Sequence, residues 1–340
     1  MLKPTKYCDI YLAEGLHKDY KKLENVFTVS KAKAHHLSYL EKSVKANSVK
    51  SMSDELKNYI SGNGYYFEDS EGIVFKTLDL FYRRYNLLGD FDFAVDGGLV
   101  SLEKKGVRKE DGIRYGVTAF YKHFSLRVGK NVFDDFSEIV PTLKYQNSYK
   151  NHSYLLEYTR QNALFYTYTF CPYDKQMKAD HFSISDYVSF KDKTNVWANI
   201  TLNSYGNGDI ETVGQFDWRF YYDYFLQKNF TYDLALEGYY VFNTKESTCF
   251  YSPSFSDATL LRIDPNYRFN RYLGLKGMLG AGYSFEYRQF LYKYGLWLYG
   301  DPLKNFSYNL GCMQSNSSTS TFSGDGYYYK ECKIDLGYRW

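Results

Sequence analysis

The stretch from Tyr327 to Trp340 limits the fold more than any other. Counted back from the end, Trp340, Tyr338, Leu336, Ile334 and Cys332 fall on one side. Arg339, Gly337, Asp335, Lys333 and Glu331 fall on the other. A period of two puts the two sets on opposite faces of a β-strand. One face is apolar and the other charged, the pattern of a strand with lipid outside and water inside. The apolar row Ile334, Leu336, Tyr338 and Trp340, ending on an aromatic residue, is the expected signal for barrel-assembly machinery.

The same alternation recurs upstream. From Tyr65 onward, strand signals return about every 15 to 20 residues, divided by Gly, Asn and Asp. Asp96-Gly97-Gly98, Glu110-Asp111-Gly112, Gly206-Asn207-Gly208-Asp209 and Gly324-Asp325-Gly326 read as turns. Between them, Val196, Ala198, Ile200 and Leu202 oppose Asn199, Thr201 and Asn203. Phe230, Tyr232, Leu234 and Leu236 oppose Thr231, Asp233 and Glu237. Leu273, Leu275, Leu279, Ala281 and Tyr283 oppose Gly274, Lys276, Gly280 and Gly282, a pattern that continues through Phe285, Glu286 and Tyr287. A closed soluble barrel fills its interior with apolar side chains. Here one row carries Lys, Glu, Asp and Asn, so one side is wet. The apolar row runs over about nine to eleven residues, enough to cross a bilayer at a tilt. The expected fold is all-β: a transmembrane antiparallel up-and-down barrel of about 16 strands with an aqueous lumen.

Composition agrees. Lys and Arg number 42 against 39 Asp and Glu, so nothing points to nucleic acid. Aromatic residues make up 20% of the chain, with 39 Tyr and 26 Phe, although the mean hydropathy is -0.52. Tyr in this quantity suits the girdles where a barrel meets lipid and water together; the competing reading is a Tyr-rich soluble sheet protein. No apolar run is long enough for a membrane helix. Met1-Leu2-Lys3-Pro4-Thr5-Lys6 leads into no apolar signal core. An exported barrel is then expected to be an internal fragment, to have a misplaced start, or to have lost its signal.

Residues 1–62 read as a helical periplasmic segment and 63–340 as the barrel. Leu12, Leu16, Tyr20 and Leu23 recur at helical spacing, and Ser53 to Lys57 resembles a capped helix ending at Gly62-Asn63-Gly64. His35-His36 are expected on the surface, since adjacent residues do not share a helix face. The five cysteines, Cys8, Cys171, Cys249, Cys312 and Cys332, show no metal spacing. Cys312 and Cys332 fall on the last two strands, either as a disulfide or as two lipid-facing thiols.

Catalytic signatures are missing: there is no GxSxG, HExxH or P-loop. His152-Ser153 and His181-Phe182-Ser183 are neighbours that chance supplies in a Ser-rich chain. Neither an enzyme nor a cofactor or metal is expected. Asp233, Glu237, Lys276 and Glu286 are candidates for a solvated pore wall. Trp197, Trp218, Tyr239, Trp297 and Tyr299 are assigned to the same polar side, as lumen aromatics or interfacial anchors.

One region is more specific. Gly238-Tyr239-Tyr240 is followed by Cys249-Phe250-Tyr251-Ser252-Pro253-Ser254, a strand from Leu260 to Phe269 and a Gly-rich strand from Leu273 to Phe285. With Gly326-Tyr327-Tyr328-Tyr329-Lys330 and Tyr338-Arg339-Trp340, this order resembles the C-terminal barrel of bacterial exopolysaccharide-export outer-membrane proteins. The cellulose-synthase operon C subunit and its relatives are the nearest likeness, over roughly residues 230–340. The resemblance implies a 16-stranded pore in the bacterial outer membrane through which a growing glycan leaves the periplasm. It also implies partners: outer-membrane lipid, the polysaccharide in transit, a periplasmic helical-repeat protein and an inner-membrane glycan synthase. Residues 1–60 hold at most one or two helix pairs and no clear 34-residue repeat, unlike the long superhelix of that family. The chain is then the tail of a longer protein, or a barrel that works with a separate periplasmic chain. Two other functions fit the same barrel. A diffusion porin or small-solute channel would fold a constriction loop inside, and a structural anchor would have a plugged lumen.

Overall fold

The structure is a computed structural model. It describes residues 58–88, 90–190, 194–222, 229–270, 272–303, 305–316 and 327–340, the last two residues of 194–222 by their backbone alone. Sixteen strands form one closed antiparallel barrel in sequence order. They are β1 (Asn58–Asp69), β2 (Ile73–Leu88), β3 (Phe91–Lys104), β4 (Arg108–Tyr121), β5 (Phe124–Phe133), β6 (Ser137–Tyr149), β7 (His152–Asn162) and β8 (Lys178–Phe190). The ring continues with β9 (Thr194–Tyr205), β10 (Ile210–Tyr222), β11 (Phe230–Asn243), β12 (Phe255–Arg268), β13 (Gly274–Ser284), β14 (Gln289–Leu303), β15 (Phe306–Ser315) and β16 (Tyr329–Arg339). β1 closes on β16 from Tyr59 opposite Arg339 to Asp69 opposite Tyr329, so no sheet edge meets lipid. The described helices α1 (Leu164–Thr167) and α2 (Phe170–Asp174) both lie in the β7–β8 connection.

Register fixes the two faces. Asp79 of β2 pairs with Gly98 of β3, which pairs with Arg114 of β4, and all three are on the inner row. One residue along each strand, Leu78, Leu99 and Ile113 form the outer row and are exposed. Leu261, Leu279, Leu296 and Ile334 continue that row round the ring. Water would leave this apolar band uncovered, whereas hydrocarbon covers it, and nothing else in the fold does. A closed barrel with such a band is an outer-membrane architecture.

The strand reading of the sequence is corrected in several places. β1 begins at Asn58, so residues 58–62 are strand and not the end of a helical segment; residues 1–57, with Cys8 and His35-His36, lie outside the described residues. Asp96-Gly97-Gly98 and Glu110-Asp111-Gly112 lie inside β3 and β4 rather than at turns. The glycine at 98 makes room for a side chain: a Cβ there would lie 2.2 Å from Asp79 Oδ1. Gly206 to Asp209 do form the β9–β10 turn, while Gly324-Asp325-Gly326 lies outside the described residues.

The two ends of the barrel differ. Asn58, Trp340 and the β2–β3, β4–β5 and β6–β7 connections mark an end with short turns. The β7–β8 connection with α1 and α2, and the β11–β12 connection, extend from the other end. Disulfide Cys171–Cys249 joins these two long loops, with Cα atoms 5.1 Å apart. A second disulfide, Cys312–Cys332, links β15 and β16 across the outer row, settling the open choice between a bond and two thiols.

Candidate functional site

The lumen is the candidate site, and its long-loop end is closed. Asn162, fully buried, starts the closing segment: its amide N–H donates to Glu138 Oε1 at 2.8 Å, and its own Oδ1 accepts from the Leu164 N–H at 2.9 Å. α1 stops at Tyr168, whose φ of 51° is left-handed. That turn lays the Tyr168 ring 4.7 Å from Phe75 on β2 and 4.9 Å from Phe67 on β1. β1 and β2 stand across the ring from β8, so a segment joining β7 to β8 and packed on them has crossed the bore. Around it, Val100, Leu102, Phe133, Leu164 and Tyr173 complete one apolar cluster. The rim is polar: the Tyr173 hydroxyl donates to Glu110 at 3.0 Å, and Arg108 holds Asp174 at 2.6 Å. Burial pushes the Tyr168 hydroxyl up to about 12, which keeps it neutral inside the plug.

Below the plug the wall turns to charge. On β2–β5, Arg114 forks onto Asp79, Arg127 onto Asp96 at 2.9 and 2.6 Å, and Arg83 bonds Asp92 at 2.7 Å. The guanidinium of Arg83 also sits 3.7 Å from the centre of the Phe120 ring. On β10–β14, Arg262 reaches Asp217 at 2.9 Å, Asp264 at 2.8 Å and Glu237. Lys293 joins Glu237 at 2.6 Å, and Arg219 forks onto Asp217. Arg262 is 3% exposed, and an arginine so buried is stable only with its charge matched and its donors filled. Between these two charged arcs, β6–β9 offer hydroxyls and amides: Ser148 with Ser153, Thr142 with Thr159, and Ser185 with Asn199.

A cavity of about 950 Å³ runs along the β1–β7 wall between the plug and the short-turn end. Asp79, Asp96, Arg114 and Arg127 line its depth, and Lys122, His123 and Gln146 its mouth. The lumen is thus a wet room with one stoppered end, and not the through-passage expected from the alternation alone. A smaller cavity of about 200 Å³ lies beside Trp297.

Strand register places seven of the nine candidate wall residues on the inner row: Trp197, Asp233, Glu237, Tyr239, Lys276, Trp297 and Tyr299. Glu237 joins the Arg262 network, and Lys276 approaches Asp264 at 3.8 Å. Tyr299 is buried and donates to Asn266 at 2.6 Å. Trp197 lies directly across the β9–β10 ladder from Asp217, a member of that network. Two assignments are corrected. Trp218 is on the outer row, between inward Asp217 and Arg219, and its indole N–H donates to Thr194 at 2.7 Å near the short-turn end. That is the position of an interfacial anchor. Glu286 is in the β13–β14 turn, where its N–H and that of Phe285 donate to Asp257. Ile334, Leu336, Tyr338 and Trp340, the row expected to act as the assembly signal, continue the outer row to the short-turn end.

Among the described residues, the His–Ser neighbours do not assemble a nucleophilic site. His152 points outward and bonds Asp186 at 2.8 Å, while Ser153 points inward. His181 bonds Asn203 at 2.7 Å and stacks on Tyr166. Among the described residues, no group of three or more His, Cys, Asp or Glu is placed to hold a metal ion. Sequence reasoning missed the central residues Asp217, Arg219, Arg262 and Asp264. Their signal was present as charges alternating with Trp218 and Ile263.

Two solved structures place the fold, and a third is a weaker likeness. A bacterial polysaccharide outer membrane secretin superposes with a TM-score of 0.68 at 11% identity, over 84% of this chain and 98% of that one. CdiB from Acinetobacter baumannii gives a TM-score of 0.50 at 8% identity, over 83% of this chain and 60% of that one. The outer membrane channel DcaP of Acinetobacter baumannii gives 0.40 at 9% identity, over 84% and 96%, too distant a likeness to build on. No protein-family model matches the chain, and no curated protein matches its sequence. The fold is that of a porin-like bacterial outer-membrane barrel.

Proposed function

We propose that this barrel is a gated outer-membrane pore that passes a secreted polysaccharide from the periplasm to the cell exterior. Short turns mark the periplasmic end of such barrels and long loops the outer end. The cavity then opens toward the periplasm, and the plug faces outward. The observation that carries this reading is the one-ended polar room beneath a loop tethered by Cys171–Cys249. A chain can enter from the periplasm, meet hydroxyls, amides and paired charges, and wait on the plug. Weak contacts at many places suit conduction, because the cargo must also leave. The superposition with a polysaccharide secretin and the resemblance to the cellulose-synthase operon C barrel support the same cargo class. Outer-membrane lipid and the barrel-assembly machinery are partners of any such barrel; a periplasmic helical-repeat protein and an inner-membrane glycan synthase are the partners proposed for this cargo.

A second reading, a small-solute channel, is favoured by the inward-folded β7–β8 loop, which resembles a constriction. Deleting the chain from its bacterium separates the two. Export predicts that polysaccharide leaves the medium fraction and accumulates in the periplasm. Unchanged secretion with slowed uptake of small solutes would favour the channel.

A further inference from the structure

Three inward aromatic rings lie flat over a glycine of the wall. Phe133 covers Gly112 and Tyr299 covers Gly274, and both rings are themselves buried, at 4% and 1% exposure. The third is Trp297. Its indole spans two glycines: a Cβ on Gly311 would lie 1.9 Å from Cδ1, and one on Gly295 would lie 2.5 Å from Cη2. Gly311 faces Trp297 across the β14–β15 ladder, and Gly295 precedes it by two on the same strand. Any side chain at these positions would push the ring off the wall. Unlike the other two rings, Trp297 is only partly buried and borders the 200 Å³ cavity.

Around the indole, Met278 and Met313 stand beside the charged heads of Arg219, Lys276, Glu331 and Lys333, and each cation has an acidic partner. Arg219 is matched by Asp217 at 2.8 Å, Lys276 by Asp264 at 3.8 Å and Lys333 by Glu331 at 3.8 Å. Met313 belongs both to the cavity wall and to the packing around the plug. Tyr65 donates to Glu331 at 3.0 Å, and its ring lies 6.5 Å from that of Tyr168. The cavity therefore sits directly under the plug.

We infer that Trp297 is a stacking subsite for one uncharged pyranose ring, placed immediately before the plug. This rests on the polysaccharide reading above and deepens it to a named contact. A pyranose offers an apolar C–H face and an edge of hydroxyls. The indole takes the face, and the Lys276, Lys333 and Glu331 heads take the hydroxyls. With each of these cations already matched by a carboxylate, a charged ligand of either sign would gain no net attraction there, and an apolar ligand would strand the charged rim. The volume is below the roughly 300–1,000 Å³ of sites that hold whole drug-sized ligands, so one ring of a longer chain occupies it.

The test is calorimetric titration of the purified barrel in detergent with cellohexaose, chitohexaose and hexagalacturonate, with heat-modifiable gel migration to confirm folding. The two uncharged hexamers are expected to bind weakly and better than the uronate. Trp297→Ala should weaken them about 3- to 10-fold, the worth of one aromatic stack. Trp297→Phe should recover part of the loss. Gly311→Val should reproduce the loss with the indole still present, and Trp218→Phe on the lipid face should change nothing. If the wild-type barrel binds the uncharged hexamers and Trp297→Ala binds them equally well, the subsite is overturned and the polysaccharide reading stands. Preference for the uronate overturns the assignment of an uncharged ring. If no hexamer binds the wild-type barrel, the polysaccharide reading fails and the subsite with it.

Discussion

At the long-loop end, the inner wall offers Phe67, Phe75, Leu102 and Phe133 to a helical loop. Four residues farther along β2, about 13 Å away, the same wall offers Asp79, paired to Arg114. The first level is packed and dry, the second borders the wet room, and they are held differently. The plug is held by apolar packing, which has no direction and can release as a unit. The wall below is held by forked ion pairs, and breaking one leaves a charge without its partner at a cost of several kcal/mol. The difference teaches which part can move. A loop that crosses a bore on ring contacts and one disulfide can swing, while the barrel that carries the ion pairs stays rigid.

The largest effect should come from removing the plug. Replacing residues 164–174 by a short turn should raise planar-bilayer conductance by an order of magnitude or more, since the polar room would then open at both ends. An unchanged conductance would mean that the lumen is blocked elsewhere. Arg262→Met should do the opposite. It leaves Asp217, Asp264 and Glu237 without their shared cation and should cost about 3–5 kcal/mol in detergent unfolding, with little change in gating. If it opens the pore and spares stability, the division between moving plug and rigid wall is wrong.

Phe75→Ala removes the ring beneath Tyr168. It should lengthen open times in single-channel records, and the lost packing, about 3–5 kcal/mol for a buried Phe, should fall on plug closure rather than on barrel unfolding. Tyr168→Phe keeps the ring and removes one hydroxyl. It should shift the plug equilibrium by only about 0.5–1.5 kcal/mol, readable as a small change in open probability. An effect as large as that of Phe75→Ala would show that polar contacts, not ring packing, hold the plug.

Much of this was legible in the sequence because a barrel wall writes its two faces in alternate residues. Asp233, Glu237, Lys276 and Trp297 were placed on the inner row by counting alone. Counting failed where something outside the strand decided the outcome. Trp218 lies in a run with aromatic residues on its own row at Phe216 and Phe220, and its phase is set by the charges on either side. Glu286 seemed to continue β13, but Asp257 of β12 captures the Phe285 and Glu286 N–H groups and turns the chain without a turn-forming Gly or Pro at 285–288. Gly97-Gly98 looked like a turn because two glycines signal one; here Gly98 is small so that Asp79 can lie across it. The plug left no periodic trace, since helices of four and five residues are too short to show one. Cys171 and Cys249, 78 residues apart, meet only because two loops lean over the same mouth.

The central claim is that the lumen is a wet room open at the short-turn end and stoppered at the other. Gln161 lines that room and directly precedes Asn162, where the closing segment starts, so it marks the deep end. A Gln161→Cys barrel in a Cys8→Ser background, reconstituted in one orientation, can be offered a membrane-impermeant maleimide from either side. The account predicts labelling from the short-turn side and none from the long-loop side until residues 164–174 are removed, in a chain that also carries Cys249→Ser because that deletion takes away the Cys171 partner. Equal labelling from both sides with the loop intact would contradict it.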